Sequence, residues 1–177
     1  MRDGLPLSHV YNLARLGQAG DLVSFTATAE EREAITHWSG IRKLENLSAK
    51  IDIQKLSPSR FGLDVALDAD LVQACVITLE PVPSHIAREF TRELHFAGPV
   101  RRGPKPADAE AILITHPDED DPPEEIDSLQ YDLAGPVLEE FLLSLDPYPK
   151  IAGAELGVKS VPGEQPESPF AVLKNLK

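Results

Sequence analysis

The sequence predicts an α+β fold: a twisted antiparallel sheet or small open barrel with two packed helices, an acidic loop and an extended C-terminal tail. Two segments, residues 47–54 and 61–69, alternate apolar and polar side chains with the period of a strand that has one wet face. They are joined by a short turn, which favours antiparallel pairing over a helical crossover. We expect residues 1–150 to form a single α+β domain and residues 151–177 to form a Gly/Pro-rich tail with a short terminal helix.

The first helix has a start signal and a stop signal. Strands are predicted before it, at residues 8–16 and 22–27. Thr28 and Glu31 then fit a capping box, in which a hydroxyl and a carboxylate satisfy the free amides of a helix start. The helix is predicted over residues 29–39, because Gly40 tolerates the left-handed conformation that ends helices. Its expected core face consists of Ala34, Ile35 and Trp38.

The long central strands are predicted to contain a bulge and a break. The apolar positions change parity at residues 70–72, as one extra residue in a β-bulge would cause. Residues 80–83 are predicted to break the ladder, because their two prolines have no amide donor. In the next strand one parity is shared by Ile86, Arg88, Phe90, Arg92, Leu94 and Phe96.

The second half alternates irregular stretches with short elements. Residues 97–110 predict a mobile loop, and residues 111–115 a short buried strand. Residues 117–127 contain seven acidic side chains and no basic one, so we expect them to be solvated and poorly ordered. A helix is predicted over residues 133–145, begun either by Asp132 or by Gly135 with proline at the first helical position, and ended by residues 146–149. A last helix would present Phe170, Leu173 and Leu176 to its own domain or to a partner.

Charge and composition restrict the classes of function. The net charge is −12, and residues 99–177 carry 16 acidic against 7 basic side chains. Such a chain repels polyanions, which disfavours non-specific nucleic-acid binding. The acidic run would instead attract a strongly basic protein, through the carboxylates of Asp118, Glu119, Asp120 and Asp121. The single cysteine excludes an internal disulfide, and the absence of a signal sequence or a membrane-length apolar run predicts a cytoplasmic protein.

Local motifs point to no catalytic residue, metal or cofactor. Cys75 is expected in the middle of a strand as a small structural residue, because no basic neighbour in the sequence would lower its pKa. The five histidines lack the spacing of a metal site and are interpreted as ordinary surface or half-buried residues. A local basic patch is the alternative for RNA binding, and its candidate members are Arg88, Arg92, Arg101, Arg102 and Lys105.

A set of motifs in one order resembles a known family. The segment C-V-I-T-L-E-P follows a long alternating strand, Ser8-His9 lies near the N-terminus, and the later motifs are D-D-P-P, L-D-P-Y-P and P-F-A-V-L. Together they span nearly the whole chain and resemble the YceD-like family, in its alphaproteobacterial branch. The signature residues are Cys75, Thr78, Leu79, Glu80, Pro81, Asp146, Pro147, Tyr148 and Pro149.

The resemblance implies a bacterial cytoplasmic factor needed for normal levels of large-subunit ribosomal RNA, without established catalytic residues. Many relatives have a C-x-x-C at the position of Cys75 to Thr78 and further cysteine downstream, and are described as metal-binding. Here Thr78 replaces the second cysteine, and residues 151–155 contain none, so a thiolate-ligated metal is not carried over. Our hypothesis is that the strand, Pro81 and the turn hold the geometry that a metal provides elsewhere.

Three functional hypotheses follow. The first is a non-enzymatic ribosome-biogenesis factor that binds basic ribosomal proteins or assembly factors through an acidic surface. The second is direct RNA binding by the local basic patch. The third is an RNA-processing or hydrolytic enzyme whose site is assembled from distant residues, which predicts a concave pocket with converging polar groups.

Overall fold

The structure is a computed structural model that describes residues 4–98 and 122–154. It confirms the α+β class with two helices. The elements in chain order are β1 (Val10–Asn12), β2 (Asp21–Thr26), α1 (Ala29–Ser39), β3 (Lys43–Lys55), β4 (Arg60–Ala74), β5 (Pro81–Phe96), β6 (Glu124–Ile126), β7 (Gln130–Asp132) and α2 (Ala134–Leu143).

The main sheet has five strands in the order β2-β3-β4-β5-β6. The pairs from β2 to β5 are antiparallel, which confirms the prediction from the short turns for β3-β4 and β4-β5, whereas α1 lies between β2 and β3. Strand β6 joins β5 in parallel. Strands β1 and β7 form a separate two-stranded sheet. Among the described strands β2 and β6 are the two edges, so the sheet is open and does not close into a barrel.

The alternation of β3 and β4 separates a core face from a polar face. On β3 the inward side chains include Leu47, Ala49, Ile51 and Ile53, all buried, as the period-2 pattern predicts. Every second residue of β4 from Phe61 to Leu71 is buried in the same core. Both helices contribute to this core through Ile35, Val137, Leu138 and Phe141. Neither helix has the length and apolar character that a membrane crossing requires.

The capping box and the glycine stop of α1 are confirmed, but its predicted core face is wrong. The Thr28 amide donates to Glu31 Oε2 at 2.7 Å, and Gly40 has a φ of 72°. Of the expected face only Ile35 is buried, while Ala34 is exposed and Trp38 is 42% exposed. Side-chain hydrogen bonds explain this rotation, because Thr36 Oγ1 accepts the Leu44 amide at 3.1 Å and turns the Thr36 side of the helix towards β3.

The predicted parity change at residues 70–72 is also wrong. Leu71 continues the buried series of β4, and the strand ends at Ala74 without changing face. The irregularity lies on the neighbouring strand instead, where the register shifts between Leu44 and Asn46 of β3. Apolar residues past position 71 belong to the strand end and the turn that follows, so their sequence pattern does not report a sheet face.

The prolines of residues 80–83 do not break the ladder. Pro81 and Pro83 begin β5 and lie opposite Ala74 and Val72 of β4. They share one parity, and the structure describes no strand on the other side of β5 at this end, because β6 pairs only with residues 94–96. Proline is tolerated at such an edge because its missing amide costs no ladder bond there.

The N-terminal strand is shorter than residues 8–16. It covers Val10–Asn12, and a 3-10 turn at Leu13–Arg15 follows. Asn12 accounts for the early end, because its side chain accepts the Ala14 amide at 3.0 Å and starts that turn. Leu13 is then fully buried in the core.

The N-cap residue of α2 is Leu133, without a side-chain cap bond, so neither predicted candidate is the cap. Asp132 lies one residue before it and contacts the helix start. Its Oδ1 accepts the Ala134 amide at 3.0 Å and the His9 amide at 2.7 Å, which also fastens the N-terminal segment. The other candidate, Gly135, lies inside the helix. Within α2, Leu142 is 37% exposed, so the helix buries a narrower face than the apolar residues of its sequence indicate.

Part of the acidic segment is ordered, contrary to the prediction for residues 117–127. Glu124–Ile126 forms β6, and Ile126 is buried. The predicted strand at residues 111–115 and most of the loop at 97–110 lie outside the described residues. So do the acidic, basic and apolar candidates Asp118, Glu119, Asp120, Asp121, Arg101, Arg102, Lys105, Phe170, Leu173 and Leu176.

Candidate functional site

The side of the sheet opposite the core is the first candidate site. We call it the outer sheet face, defined by the even-numbered residues 62–70 of β4 and their neighbours on β3 and β5. Both helices and the small sheet pack on the core side, so no described element covers this face. Its carboxylates are Asp52, Asp64, Asp68, Asp70, Glu89 and Glu93, with Lys50 among them and Arg60 Nε 3.1 Å from Glu93 Oε1.

Two of these carboxylates oppose each other directly. Asp52 of β3 pairs in register with Asp64 of β4. Like charges at opposed positions destabilise a sheet. Aspartate is also depleted in strands in general. Charge repulsion and strand propensity therefore both count against this pair as a stabilising feature of the sheet, although Lys50 lies beside the two carboxylates.

His85 lies between two other carboxylates of the same face. Its Nδ1 is 2.8 Å from Asp70 Oδ1, and its Nε2 is 3.4 Å from Asp68 Oδ2. The hydrogen bond to Asp70, helped by the charges of both carboxylates against the effect of burial, raises the pKa of His85. The ligand atoms of the three residues lie within 4.8 Å of one another, so this group has the donors to hold a divalent cation. In the structure the imidazole occupies the gap between the two carboxylates.

The turn after β4 is the second candidate site. Cys75 lies beyond the strand end rather than in the middle of a strand, because β4 stops at Ala74. The Cys75 amide donates to the Glu80 carbonyl at 2.8 Å, and the Leu79 amide donates to the Cys75 carbonyl at 2.9 Å. Leu79 has a φ of 61°, an uncommon conformation for a leucine. Cys75, Thr78, Leu79 and Glu80 thus form one tight turn, which ends where Pro81 begins β5.

This turn meets the second signature segment, about seventy residues downstream. The Val76 amide donates to the Pro149 carbonyl at 2.9 Å, and Gln73 Nε2 donates to the Asp146 carbonyl at 2.9 Å. The Asp146 carboxylate in turn accepts the Tyr148 amide at 2.8 Å. The two motifs that carry the family resemblance are therefore neighbours in space, which their sequence positions do not reveal.

The Cys75 thiol is buried and surrounded by donors. Hydrogen bonds from the Thr78 hydroxyl, then from the amides of Thr78, Ile151 and Ile77, lower the pKa of the Cys75 thiol to about 6 against the effect of burial. No basic side chain is involved: the donors come from the turn itself and from Ile151 of a distant segment, so the neighbouring sequence does not predict the lowered pKa of Cys75. Burial agrees with the interpretation of Cys75 as a small structural residue, which stays a prediction.

The two described members of the predicted basic patch contact other elements of the same domain. Arg92 Nη1 lies 3.3 Å from Glu124 Oε2 of β6 and 2.9 Å from Glu139 Oε2 of α2. Arg88 Nε donates to Ser144 Oγ at 3.3 Å. These guanidinium groups tie β5 to β6 and to the α2 end of the domain.

Comparisons with known proteins identify a family. Residues 63–177, more than half of the chain, match the family model described as "Large ribosomal RNA subunit accumulation protein YceD". The match begins inside β4 and includes the outer sheet face of β4 and β5, the Cys75 turn and the Asp146–Pro149 segment. No curated protein and no solved structure matches the chain.

Proposed function

The chain belongs to the YceD family of large ribosomal RNA subunit accumulation proteins, and from that premise we propose that it acts by binding a basic protein through its outer sheet face. The family role is the accumulation of large-subunit ribosomal RNA. The partner in this proposal is a basic ribosomal protein or assembly factor, met in the bacterial cytoplasm.

The carrying observation is the opposed pair Asp52 and Asp64 on a sheet face that no described element covers. A bare sheet face of this size needs polar residues for solubility, but mixed charges would satisfy that need with less repulsion. A face rich in one sign of charge favours partners of the other sign and speeds their association. The sign here selects a cationic partner.

Direct RNA binding is less well supported by the same geometry. Phosphates would meet the carboxylates of the outer sheet face, and Arg92 already contacts Glu124 and Glu139. Neutralising phosphates requires cations that are available to release counterions. The described part of the surface therefore favours a protein partner.

A catalytic role also has less support. The family is described by the accumulation of an RNA and not by a reaction. The two most central concavities of the described surface lie open on the outer sheet face and another lies beside β6 and β7, whereas the thiol with the lowered pKa is buried in a separate turn. The enzyme hypothesis expects these features to converge in one pocket.

Co-purification tests the proposal. The full chain, purified at moderate salt from a host depleted of the native copy, is expected to retain a basic ribosomal protein or a pre-ribosomal particle, identified by mass spectrometry. The double variant Asp52→Asn/Asp64→Asn should lose that partner and fail to restore large-subunit RNA levels. The matched control Glu30→Gln/Glu33→Gln removes the same charge from exposed positions of α1 and should behave like the wild type. Equal recovery of the partner by both variants would overturn the proposal.

A further inference from the structure

We propose that the outer sheet face holds its partner as an extended, lysine- and arginine-rich peptide segment of about eight residues that lies along β4. This inference rests on the proposed function and adds the form in which the partner is bound. It is drawn from the shape of the face, its length and the spacing of its carboxylates.

The outer sheet face contains a series of concavities that follow β4 from one end to the other. Two central ones, of about 660 and 610 Å³, share Lys50, Ala66 and Glu89. Beyond them lie one of about 320 Å³ beside Asp70 and His85 and one of about 260 Å³ beside Gly62. We call this series the β4 trough. It is open to solvent along its length, which suits a linear ligand better than a small molecule.

Small side chains make the floor of the β4 trough shallow. Ala66 lies between Asp64 and Asp68 on β4, and Ala87 lies opposite Asp68 on β5. Gly62, at one end, is covered by the side chain of Leu56. A residue without a long side chain lets another backbone approach the sheet. The partner can therefore lie close to the strand while its side chains reach the carboxylates at either side.

The length of the β4 trough sets the length of the segment. From residue 62 to residue 70 the strand advances about 27 Å, at roughly 3.4 Å per residue. An extended peptide of about eight residues covers the same distance. A compact helix of that length would span less than half of it, at about 1.5 Å per residue.

The charges of the β4 trough have the repeat of an extended chain. Asp68 and Asp70 are two residues apart and Asp64 is four residues from Asp68, all on one face of β4. Side chains on one face of an extended peptide recur about every 7 Å, so its lysines or arginines can meet successive carboxylates. Lys50 and Arg88 also line the central concavity, and the carboxylates of the trough outnumber them.

The side chain of His85 shows how a nitrogen donor is received between two of these carboxylates. The imidazole of His85 lies between Asp68 and Asp70, at 3.4 and 2.8 Å from their oxygens. A basic side chain of the partner finds the same kind of environment at Asp52 and Asp64, where two carboxylates face each other across the strands. A basic side chain of the partner would relieve the repulsion of this like-charge pair.

The test is a binding titration with a defined probe. A fluorescein-labelled octapeptide of alternating lysine and glycine is titrated with the full chain and followed by fluorescence anisotropy at low and moderate salt. We expect binding that weakens with salt, and a loss of about tenfold for Asp64→Asn/Asp68→Asn, which corresponds to about 1.4 kcal/mol. The control Glu30→Gln/Glu33→Gln should stay within about twofold, since its charges lie outside the trough.

A variant that fills the trough separates shape from charge. Ala66→Tyr places a ring on the floor without changing the net charge, and tyrosine suits a strand. It should weaken the octapeptide about tenfold, and Ala87→Tyr serves as a second variant if Ala66→Tyr does not fold. Unchanged affinity in a folded Tyr variant, an equal loss in the α1 control, or tighter binding of a single-stranded RNA octamer would each overturn the inference.

The outcome is distinguishable from failure of the proposed function. Suppose that Ala66→Tyr binds the octapeptide normally while Asp52→Asn/Asp64→Asn still loses the co-purified partner. This result would support the acidic face as the binding surface and contradict the extended geometry of the bound segment. If the octapeptide binds in the β4 trough while the wild-type chain recovers no ribosomal protein or particle, peptide binding in the trough is supported and the proposed function is contradicted.

Discussion

The two faces of β4 are formed by alternate residues of the same strand and are under opposite physical constraints. The odd-numbered side chains from Phe61 to Leu71 are buried against the helices, whereas the even-numbered Asp64, Asp68 and Asp70 face a side that no described element covers. The inner face is determined by packing, where each missing methylene is felt. The outer face includes an arrangement that packing does not require and that electrostatics disfavours. Adjacent residues of β4 therefore have different roles. One set stabilises the fold, and the other forms the surface that we propose binds the partner.

The largest effect that the comparison predicts is on the inner face. Leu63 is 1% exposed, so Leu63→Ala should lower the free energy of unfolding by about 2–5 kcal/mol through lost burial and the cavity left behind. The adjacent outer substitution Asp64→Ala should change it by no more than about 1 kcal/mol, the range of one cross-strand pair. Urea denaturation of both variants measures the contrast, and comparable losses would show that the outer face is also part of the core.

The Cys75 turn is a third environment, buried like the inner face but polar. The pKa of its thiol is lowered to about 6, so the folded state favours the thiolate relative to the unfolded state. The stabilisation is fully present above the unfolded pKa near 9 and is lost as the pH falls through 6. The midpoint of urea denaturation should therefore rise more between pH 6 and 9 in the wild type than in Cys75→Ser.

Ultraviolet absorbance of the thiolate gives the direct measurement for this turn. Its titration midpoint should lie near pH 6 in the folded chain and return towards the ordinary value in urea. Thr78→Val removes the hydroxyl donor and should raise the folded pKa of Cys75. An unchanged midpoint in Thr78→Val would mean that the backbone amides alone hold the thiolate.

A smaller effect distinguishes two aspartates of the outer sheet face. Asp64→Asn keeps the shape and removes the repulsion from Asp52, so it should raise the free energy of unfolding by about 0.2–1 kcal/mol. Asp68→Asn should give no such gain. Asp68 contacts the imidazole of His85, whereas Asp64 is opposed by the carboxylate of Asp52. Denaturation at neutral pH and low salt measures both. A loss of stability in Asp64→Asn would remove the argument that this pair is retained for binding.

How far the sequence predicts this molecule depends on how local each feature is. The alternation of buried and exposed side chains along β3 and β4 depends only on neighbouring residues, as does the capping box at Thr28. The structure confirms both. The side of α1 that is buried depends on Thr36 reaching Leu44, so periodicity alone wrongly turned Trp38 inward.

The candidate site was less accessible to sequence reasoning for the same reason. Asp64 and Asp68 are visible as the polar half of an alternating strand, but their opposition to Asp52 and their contact with His85 depend on register between strands. The contact between the Cys75 turn and Pro149 likewise joins distant segments. The aspartates at alternate positions of β4 are the one signal of the outer sheet face that the sequence contains.

The smallest predicted effect concerns the proton on His85. Its hydrogen bond to Asp70 raises the pKa of His85 above the ordinary 6.5, so the folded state binds this proton more tightly than the unfolded state does. The resulting stabilisation is present below pH 6.5 and is lost as the pH rises through the folded pKa. A titration of the His85 ring signals by NMR should show the raised pKa, with Asp70→Asn lowering it more than Asp68→Asn, because Asp70 makes the shorter contact. If neither variant moves the titration, His85 does not bridge the two carboxylates in solution, and the outer face presents Asp68 and Asp70 to a partner without an internal cation between them.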